Sequence, residues 1–288
     1  MDSNLVRRFT VAAVGVPIAL GLAYWGGWPL VALLALVGPL GARELFTFAT
    51  RQGVRPAALF GYATAALIPP AVYGAYASPQ WRALLVSAWP YVGALWLVAL
   101  LTWALAARKP TERPLGAAAV TLLAVLYAGA LPAFLIPIRH DLHGTQSWAG
   151  AWLVFFPLVV TWICDTFAMF GGRTFAGPKL APTVSPGKTR SGSAAGVVGA
   201  LLVALIFGLA VFPRLGVAAP LGELLLMAAV LSVAGQVGDL AESLFKREAG
   251  MKDSGTLIPG HGGVLDRLDS LYFVIPVAAA MYRVLGIT

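Results

Sequence analysis

Cysteine is almost absent from this chain. Cys164 is the single example, which excludes an internal disulfide and any metal site built from several thiolates. It sits in the apolar run VVTWIC, where a buried, unreactive thiol is expected. Charge is nearly as scarce. Only 11% of the 288 residues are Asp, Glu, Lys or Arg, against 59% hydrophobic, and the mean hydropathy is +0.82. Those values exclude an ordinary soluble domain and point to a protein that crosses a membrane many times. Internal repeats and low-complexity tracts are also missing, which argues against a transporter built from two related halves. Acidic residues number 12 against 20 basic ones, giving a net charge of +8. The basic residues fall between apolar segments instead of forming one patch. They read as topology signals and phosphate ligands, with no nucleic-acid partner.

Long apolar runs are what the chain has in abundance. A helix crossing a hydrocarbon core of roughly 30 Å needs about 20 mostly apolar residues. Nine such segments are expected, near 9–25, 28–48, 57–77, 84–106, 115–138, 149–171, 193–212, 220–240 and 265–287. The predicted fold is therefore an all-α polytopic membrane protein of about nine transmembrane helices. Residues 1–148 would supply about five spans, and 149–288 about four, with the catalytic region. The first span follows Arg7 and Arg8 as a signal peptide would, but no cleavage site precedes the next apolar run, so a retained anchor is expected. With the N-terminus in the cytoplasm, 16 Lys and Arg fall on the inner side and 4 on the outer, namely Arg82, Arg139, Arg214 and Arg283. The positive-inside rule favours that orientation.

The scarce charges gather between the last two spans, in SLFKREAGMKDSGTLIPGHGGVLDRLD, with Asp239 and Glu242 just upstream. If the eighth span continues as helix, Asp239, Glu242 and Lys246 recur at i, i+3 and i+7 on one face. Asp266 and Asp269 are again i and i+3. Two helix ends at the membrane boundary would then offer carboxylates to one cation. Mg²⁺ suits such a site, because it takes oxygen ligands and is commonly held by one or two carboxylates plus substrate phosphates. Lys246, Arg247, Lys252 and Arg267 would neutralise phosphate oxygens, arginine in bidentate fashion. Between them, Pro259-Gly260-His261-Gly262-Gly263 allows backbone to approach a ligand closely.

These residues resemble the signature of the phosphatidate cytidylyltransferase (CDP-diacylglycerol synthase) family. The match runs through Ser243, Lys246-Arg247, Lys252-Asp253, Gly255, Pro259, His261-Gly262-Gly263, Asp266-Arg267 and Asp269, with Gly238-Asp239 as its lead-in. A second stretch is similar to the family's middle motif: Asp165-Thr166, Gly171-Gly172-Arg173 and Ser185-Pro186-Gly187-Lys188-Thr189. The family form there is Ser-Pro-Lys-Lys-Thr followed by Glu-Gly. Here Gly187 replaces the first Lys and Ser191 the Glu, so neither position carries a charge.

The resemblance implies a transfer of the cytidylyl group from CTP to phosphatidate, giving CDP-diacylglycerol and pyrophosphate. It implies Asp239 and Asp266 as Mg²⁺ ligands, with Asp269 in support and room for a second cation. Lys246, Arg247, Lys252 and Arg267 would hold the triphosphate and the lipid phosphate; Asp253 belongs to the same catalytic segment. His261 would hydrogen-bond a phosphate or order the loop. Asp165, Ser185, Lys188, Thr189, Ser243, Gly262 and Gly263 would contact substrate. A homodimer among membrane lipids and a bacterial inner or plasma membrane location, with the site on the cytoplasmic side, are further expectations. Two rivals stand beside this reading: a CTP-dependent enzyme acting on another lipid phosphate or a polyprenol, and a transporter with a charged gate. His140, Asp141 and His143 have metal-like spacing but are expected in a solvated outer loop. Trp25, Trp28, Trp81 and Trp148 mark span ends, and Pro69-Pro70, Pro90, Pro132, Pro157 and Pro276 would kink the spans around a cavity.

Overall fold

A computed structural model describes residues 15, 17–257 and 262–287. Among these, eight helices are long and apolar enough to cross a membrane. They are α1 (Gly27–Arg51), α2 (Ala58–Ala77), α3 (Pro79–Ala107), α4 (Pro114–His140), α5 (Trp148–Phe175), α6 (Arg190–Leu215), α7 (Leu221–Glu248) and α8 (Leu265–Leu285). They coincide with the second to ninth expected spans, so the all-α polytopic class holds. Most of the expected first span, with Arg7 and Arg8, lies outside the described residues; 17–25 is helical.

The chain divides into two compact units. Of the described residues, one unit comprises Gly27–Ile136 and those of 248–267, so the expected division at residue 148 falls inside the other, which holds those of 15–26 with Pro137–Arg247 and 268–287. In the first unit, α1 packs on α2 and on the middle of α4. Small residues permit this: a side-chain carbon on Gly38 would lie 2.9 Å from the Ala65 carbonyl oxygen, and one on Gly129 would lie 2.8 Å from the Ala65 Cα. Close approach of backbones is how helices gain packing energy where lipid offers no hydrophobic incentive.

In the second unit, α5 and α6 make the closest pairing, along Gly192, Gly196 and Gly199 of α6. A Cβ on Gly199 would meet the Phe167 ring at 2.7 Å, and one on Gly196 the Cys164 Sγ at 2.9 Å. Phe156, Phe207 and Phe212 form a buried aromatic cluster beside them. Tyr282 of α8 is fully buried and donates its hydroxyl to the Leu153 carbonyl at 2.9 Å.

Two spans contain a π-helical stretch. Val125–Ala130 in α4 and Phe207–Val211 in α6 are π-helical. Each lies just before a proline, Pro132 or Pro213. Proline removes an amide donor, and a π turn is one way in which a helix adjusts around such a break.

The sequence places Arg139 among the outer-side charges. The structure buries it completely. Its guanidinium donates to the carbonyls of Ala23 at 2.6 Å, Tyr24 at 2.7 Å and Gly144 at 2.8 Å. The first two are end-of-helix carbonyls of 17–25, which lack intrahelical partners and favour a cation.

Candidate active site

The second unit gathers charge at one place. Lys188 Nζ lies 2.5 Å from Asp239 Oδ2, and each side chain is 28% exposed. Asp165 and Asp269 interact electrostatically with each other, with Asp239 and with Lys188. Three carboxylates from α5, α7 and the start of α8 thus share a neighbourhood with the lysine of the middle motif. Ser243, one turn after Asp239, donates to its Oδ1 at 3.4 Å.

Local structure explains how these side chains arrive there. The segment after α5 folds into an antiparallel hairpin, β1 (Lys179–Ala181) and β2 (Ser185–Thr189), with Ala181 opposite Ser185 and Lys179 opposite Thr189. This hairpin was not foreseen from sequence. Its second strand is the motif Ser185–Thr189, and it ends at the N-cap of α6, where Thr189 Oγ1 accepts from the Gly192 amide at 3.1 Å. Such a cap satisfies an otherwise unpaired helix donor. Lys188 is therefore held at the junction of a strand and a capped helix. Ser191, which replaces the family's Glu, donates to the Ala176 carbonyl at the end of α5. Gly187 has open space where a side chain would stand.

A polar layer that sequence reading missed lies nearby. Gln236 of α7 accepts from Ser193 of α6 and donates to Ser232 Oγ at 3.3 Å. Cys164 Sγ is 3.1 Å from the Ser232 oxygen and is buried, as expected for an inert thiol. On α7, Lys246 pairs with the fully buried Glu242 at 2.9 Å and is itself only 8% exposed. Its charge also reaches Asp269. Arg247 is exposed and donates to the Val184 carbonyl at 3.3 Å, which ties α7 to the hairpin turn.

The first unit contains most of the signature loop. Lys252, Asp253 and Arg267 are exposed. Asp266 Oδ2 accepts from the Ser254 amide at 2.7 Å, the Gly263 amide at 2.8 Å and the Ser254 hydroxyl at 2.9 Å. Gly262 has φ +82, the left-handed region that glycine enters without cost. A Cβ there would strike the Asp266 carboxylate. His261 and Pro259 lie outside the described residues. After the single turn Leu265–Leu268, residues Asp269 and Ser270 form a turn before helix resumes at Leu271. The uninterrupted helix assumed for Asp266 and Asp269 is therefore broken at Asp269.

Glu44 is the residue that sequence reading missed entirely. It lies on α1, is 7% exposed, and its carboxylate reaches the signature loop. Oε1 accepts from the Val264 amide at 2.8 Å; Oε2 accepts from the Leu265 amide at 2.8 Å and the Ser254 hydroxyl at 2.7 Å. Gly263 is packed so tightly here that a Cβ would collide with both Glu44 oxygens and with Ser254 Oγ.

His140 is partly buried, and His143, in the loop after α4, is also partly buried. Burial, followed by the charge of Arg139, holds the His143 imidazole below its usual value of 6.5. This fits a structural role beside Arg139 more closely than the freely solvated loop anticipated.

The chemistry of the first cluster suits a hard cation and phosphates, since its donors are carboxylate oxygens flanked by lysines. Among the described residues, no group of three or more His, Cys, Asp or Glu is placed to hold a metal ion by itself. A cation here would complete its shell with phosphate oxygens and water, as Mg²⁺ commonly does.

A sequence profile of the cytidylyltransferase family matches residues 6–285. The phosphatidate cytidylyltransferase of Synechocystis sp. (strain ATCC 27184 / PCC 6803 / Kazusa) is 32% identical over 293 residues, covering 94% of each chain. That of Bacillus subtilis (strain 168) is 44% identical over 155 residues, 54% of each chain. That of Brucella abortus biovar 1 (strain 9-941) is 47% identical over 146 residues, 49% of each chain.

Proposed function

We propose that this chain, which belongs to the cytidylyltransferase family, joins CTP to phosphatidate and so makes CDP-diacylglycerol and pyrophosphate. A phosphate oxygen of the lipid forms a bond to the α-phosphorus of CTP. The bond from that phosphorus to the bridging oxygen of the β-phosphate breaks, and pyrophosphate leaves with the electron pair. The nucleophile is already anionic, so no general base is needed. Such a transfer depends on in-line positioning and on neutralising negative charge.

The observation that carries this reading is the cluster of Asp165, Asp239 and Asp269 around Lys188. We assign Asp239 and Asp269 as the carboxylates that hold Mg²⁺, with Asp165 adding negative charge to the same neighbourhood. A bound Mg²⁺ supplies charge to the phosphate oxygens; a second cation is compatible with three carboxylates. Lys188 and Arg247 hold phosphate, supported by Ser185, Thr189 and Ser243. Lys246 orients the end of α7 through Glu242 and adds positive potential near Asp269. Lys252, Asp253 and Arg267, exposed on the signature loop, are assigned to the substrate's charged groups on the family resemblance alone. Asp266, expected from sequence as a ligand, is assigned instead to holding Gly263 and Ser254 in place. Gly262 and Gly263 give the loop its close backbone, and His261 belongs to the same segment.

The protein is a membrane protein, and we place its site on the cytoplasmic side of a bacterial inner or plasma membrane, supported by the 16 to 4 distribution of basic residues. A homodimer is proposed on the family resemblance.

The test is a labelled-CTP assay with phosphatidate on the purified protein in detergent, with Mg²⁺ or with a chelator. Mg²⁺-dependent label in the lipid phase, lost in a folded Asp239→Asn protein, is the expected result. Absence of labelled lipid across several phosphatidates, with label appearing on another lipid phosphate, would assign the enzyme to the alternative substrate.

A further inference from the structure

We infer that Glu44 is a positioning residue for cytidylyl transfer, acting through Ser254 and Asp266 on the signature loop. The inference rests on the reading of that reaction given above. A carboxylate inside an apolar helix is costly, because burying a charge without partners is unfavourable. An apolar side chain would pack α1 as well. Glu44 spends its acceptors on one segment: the Ser254 hydroxyl and the Val264 and Leu265 amides. These flank the tight Gly262-Gly263 turn and begin α8, so the carboxylate acts as a helix cap supplied by a remote helix. Gly255 and Gly263 leave it room: a Cβ on Gly255 would sit 3.1 Å from Oε1.

Ser254 makes the arrangement more than a cap. Its hydroxyl has one proton, yet its oxygen lies 2.7 Å from Glu44 Oε2 and 2.9 Å from Asp266 Oδ2. The same oxygen also accepts from the Asp266 amide at 3.3 Å. When the proton points to Glu44, Asp266 Oδ2 keeps two amide donors, from Ser254 and Gly263. When Glu44 cannot accept, the proton turns to Asp266 and changes its hydrogen bonding. Glu44→Gln does this with almost no change of volume. Its amide group presents N–H where the protein needs an acceptor, so at least one loop donor loses its partner.

The experiment uses the full chain in detergent, comparing Glu44→Gln, Ser254→Ala and the double variant. Initial rates with labelled CTP and phosphatidate are measured beside the thermal midpoint, with hydrogen exchange in 254–257 and 262–265. Glu44→Gln is expected to lose about ten- to a hundredfold in kcat, as misplacement of supporting groups commonly costs. KM for CTP should stay within about twofold, and the double variant should fall little below the worse single, because the residues act together. Exchange at Val264 and Leu265 should rise while that of α1 stays slow. A folded Glu44→Gln protein with kcat within about twofold of the parent would overturn the inference, as would additive losses in the double variant. If Glu44→Gln does not fold, Ser254→Ala carries the same kcat and exchange expectations. If the parent protein makes no nucleotide-lipid, the reaction assignment fails, and the exchange data alone decide: unchanged protection of 254–265 rejects Glu44 as the group that holds the loop.

Discussion

Replacing Lys188 by methionine removes a positive charge that stands 2.5 Å from Asp239 while keeping much of the side chain's length. Its consequence for cation binding has a definite sign. A cation approaching Asp239 and Asp269 must compete with the lysine for the same carboxylate, so removing the lysine makes the site more attractive to Mg²⁺. The size follows from geometry and exposure. Unit charges 4 Å apart interact by about 4 kcal/mol at the effective dielectric of a protein surface. Both side chains are 28% exposed, and exposed pairs measured by mutation contribute about 1 kcal/mol or less, so a figure near 1 kcal/mol is appropriate. That corresponds to about a fivefold lower half-saturating Mg²⁺ concentration. Over the same series kcat/KM for CTP should fall, since the phosphate loses a partner. The assay is initial rate against free Mg²⁺ at two ionic strengths. Lys188→Arg should keep the parental half-saturation, and the difference for Lys188→Met should shrink at higher salt. A half-saturating concentration that is unchanged or higher in Lys188→Met refutes the placement of the cation at Asp239.

Three further outcomes are expected. Arg139→Met should lower the thermal midpoint markedly, by about 3 kcal/mol or more of stability, because three carbonyls lose a charged donor inside the protein; a midpoint equal to the parent's would contradict this. Gly196→Val should cost about 1–3 kcal/mol through overpacking against Cys164, read as a lower midpoint with no change in KM for CTP among surviving molecules. The depressed His143 value means that the unfolded chain binds the proton more readily than the native one. Its contribution is fully present above pH 6.5 and is lost as pH falls toward the native value. His143→Gln should therefore flatten the fall in thermal midpoint between neutral and mildly acidic pH, and an unaltered slope would count against that assignment.

The spans were legible because a bilayer imposes a length and a composition that few other environments demand. The boundary predicted at 115–138 and the observed α4 at Pro114–His140 differ by only one or two residues. Charge density likewise exposed the signature loop, and the pairing of Asp239 with Lys188 joins the two motifs that the residues had marked separately. Three features were not legible, each for a physical reason. The β1–β2 hairpin has a bulged register and no alternation of apolar and polar residues, so nothing in Lys179–Thr189 distinguishes strand from loop. Arg139 looks like any basic residue at a span end until its three carbonyl partners are seen. Glu44 lies 210 residues from Ser254, and a lone acid near the end of an apolar helix gives no local sign of a distant amide.

That separation also dictates an order of events during synthesis. Glu44 emerges early, already embedded in α1, whereas Ser254, Val264 and Leu265 follow more than 200 residues later. At about 5–20 residues per second, the interval is roughly 10–40 s. Throughout it, the acid occupies a nascent helix whose acceptors have no amides to meet. Helix α8 therefore completes an arrangement begun in α1, and chains released before α8 would leave the Glu44 carboxylate without the Ser254, Val264 and Leu265 donors.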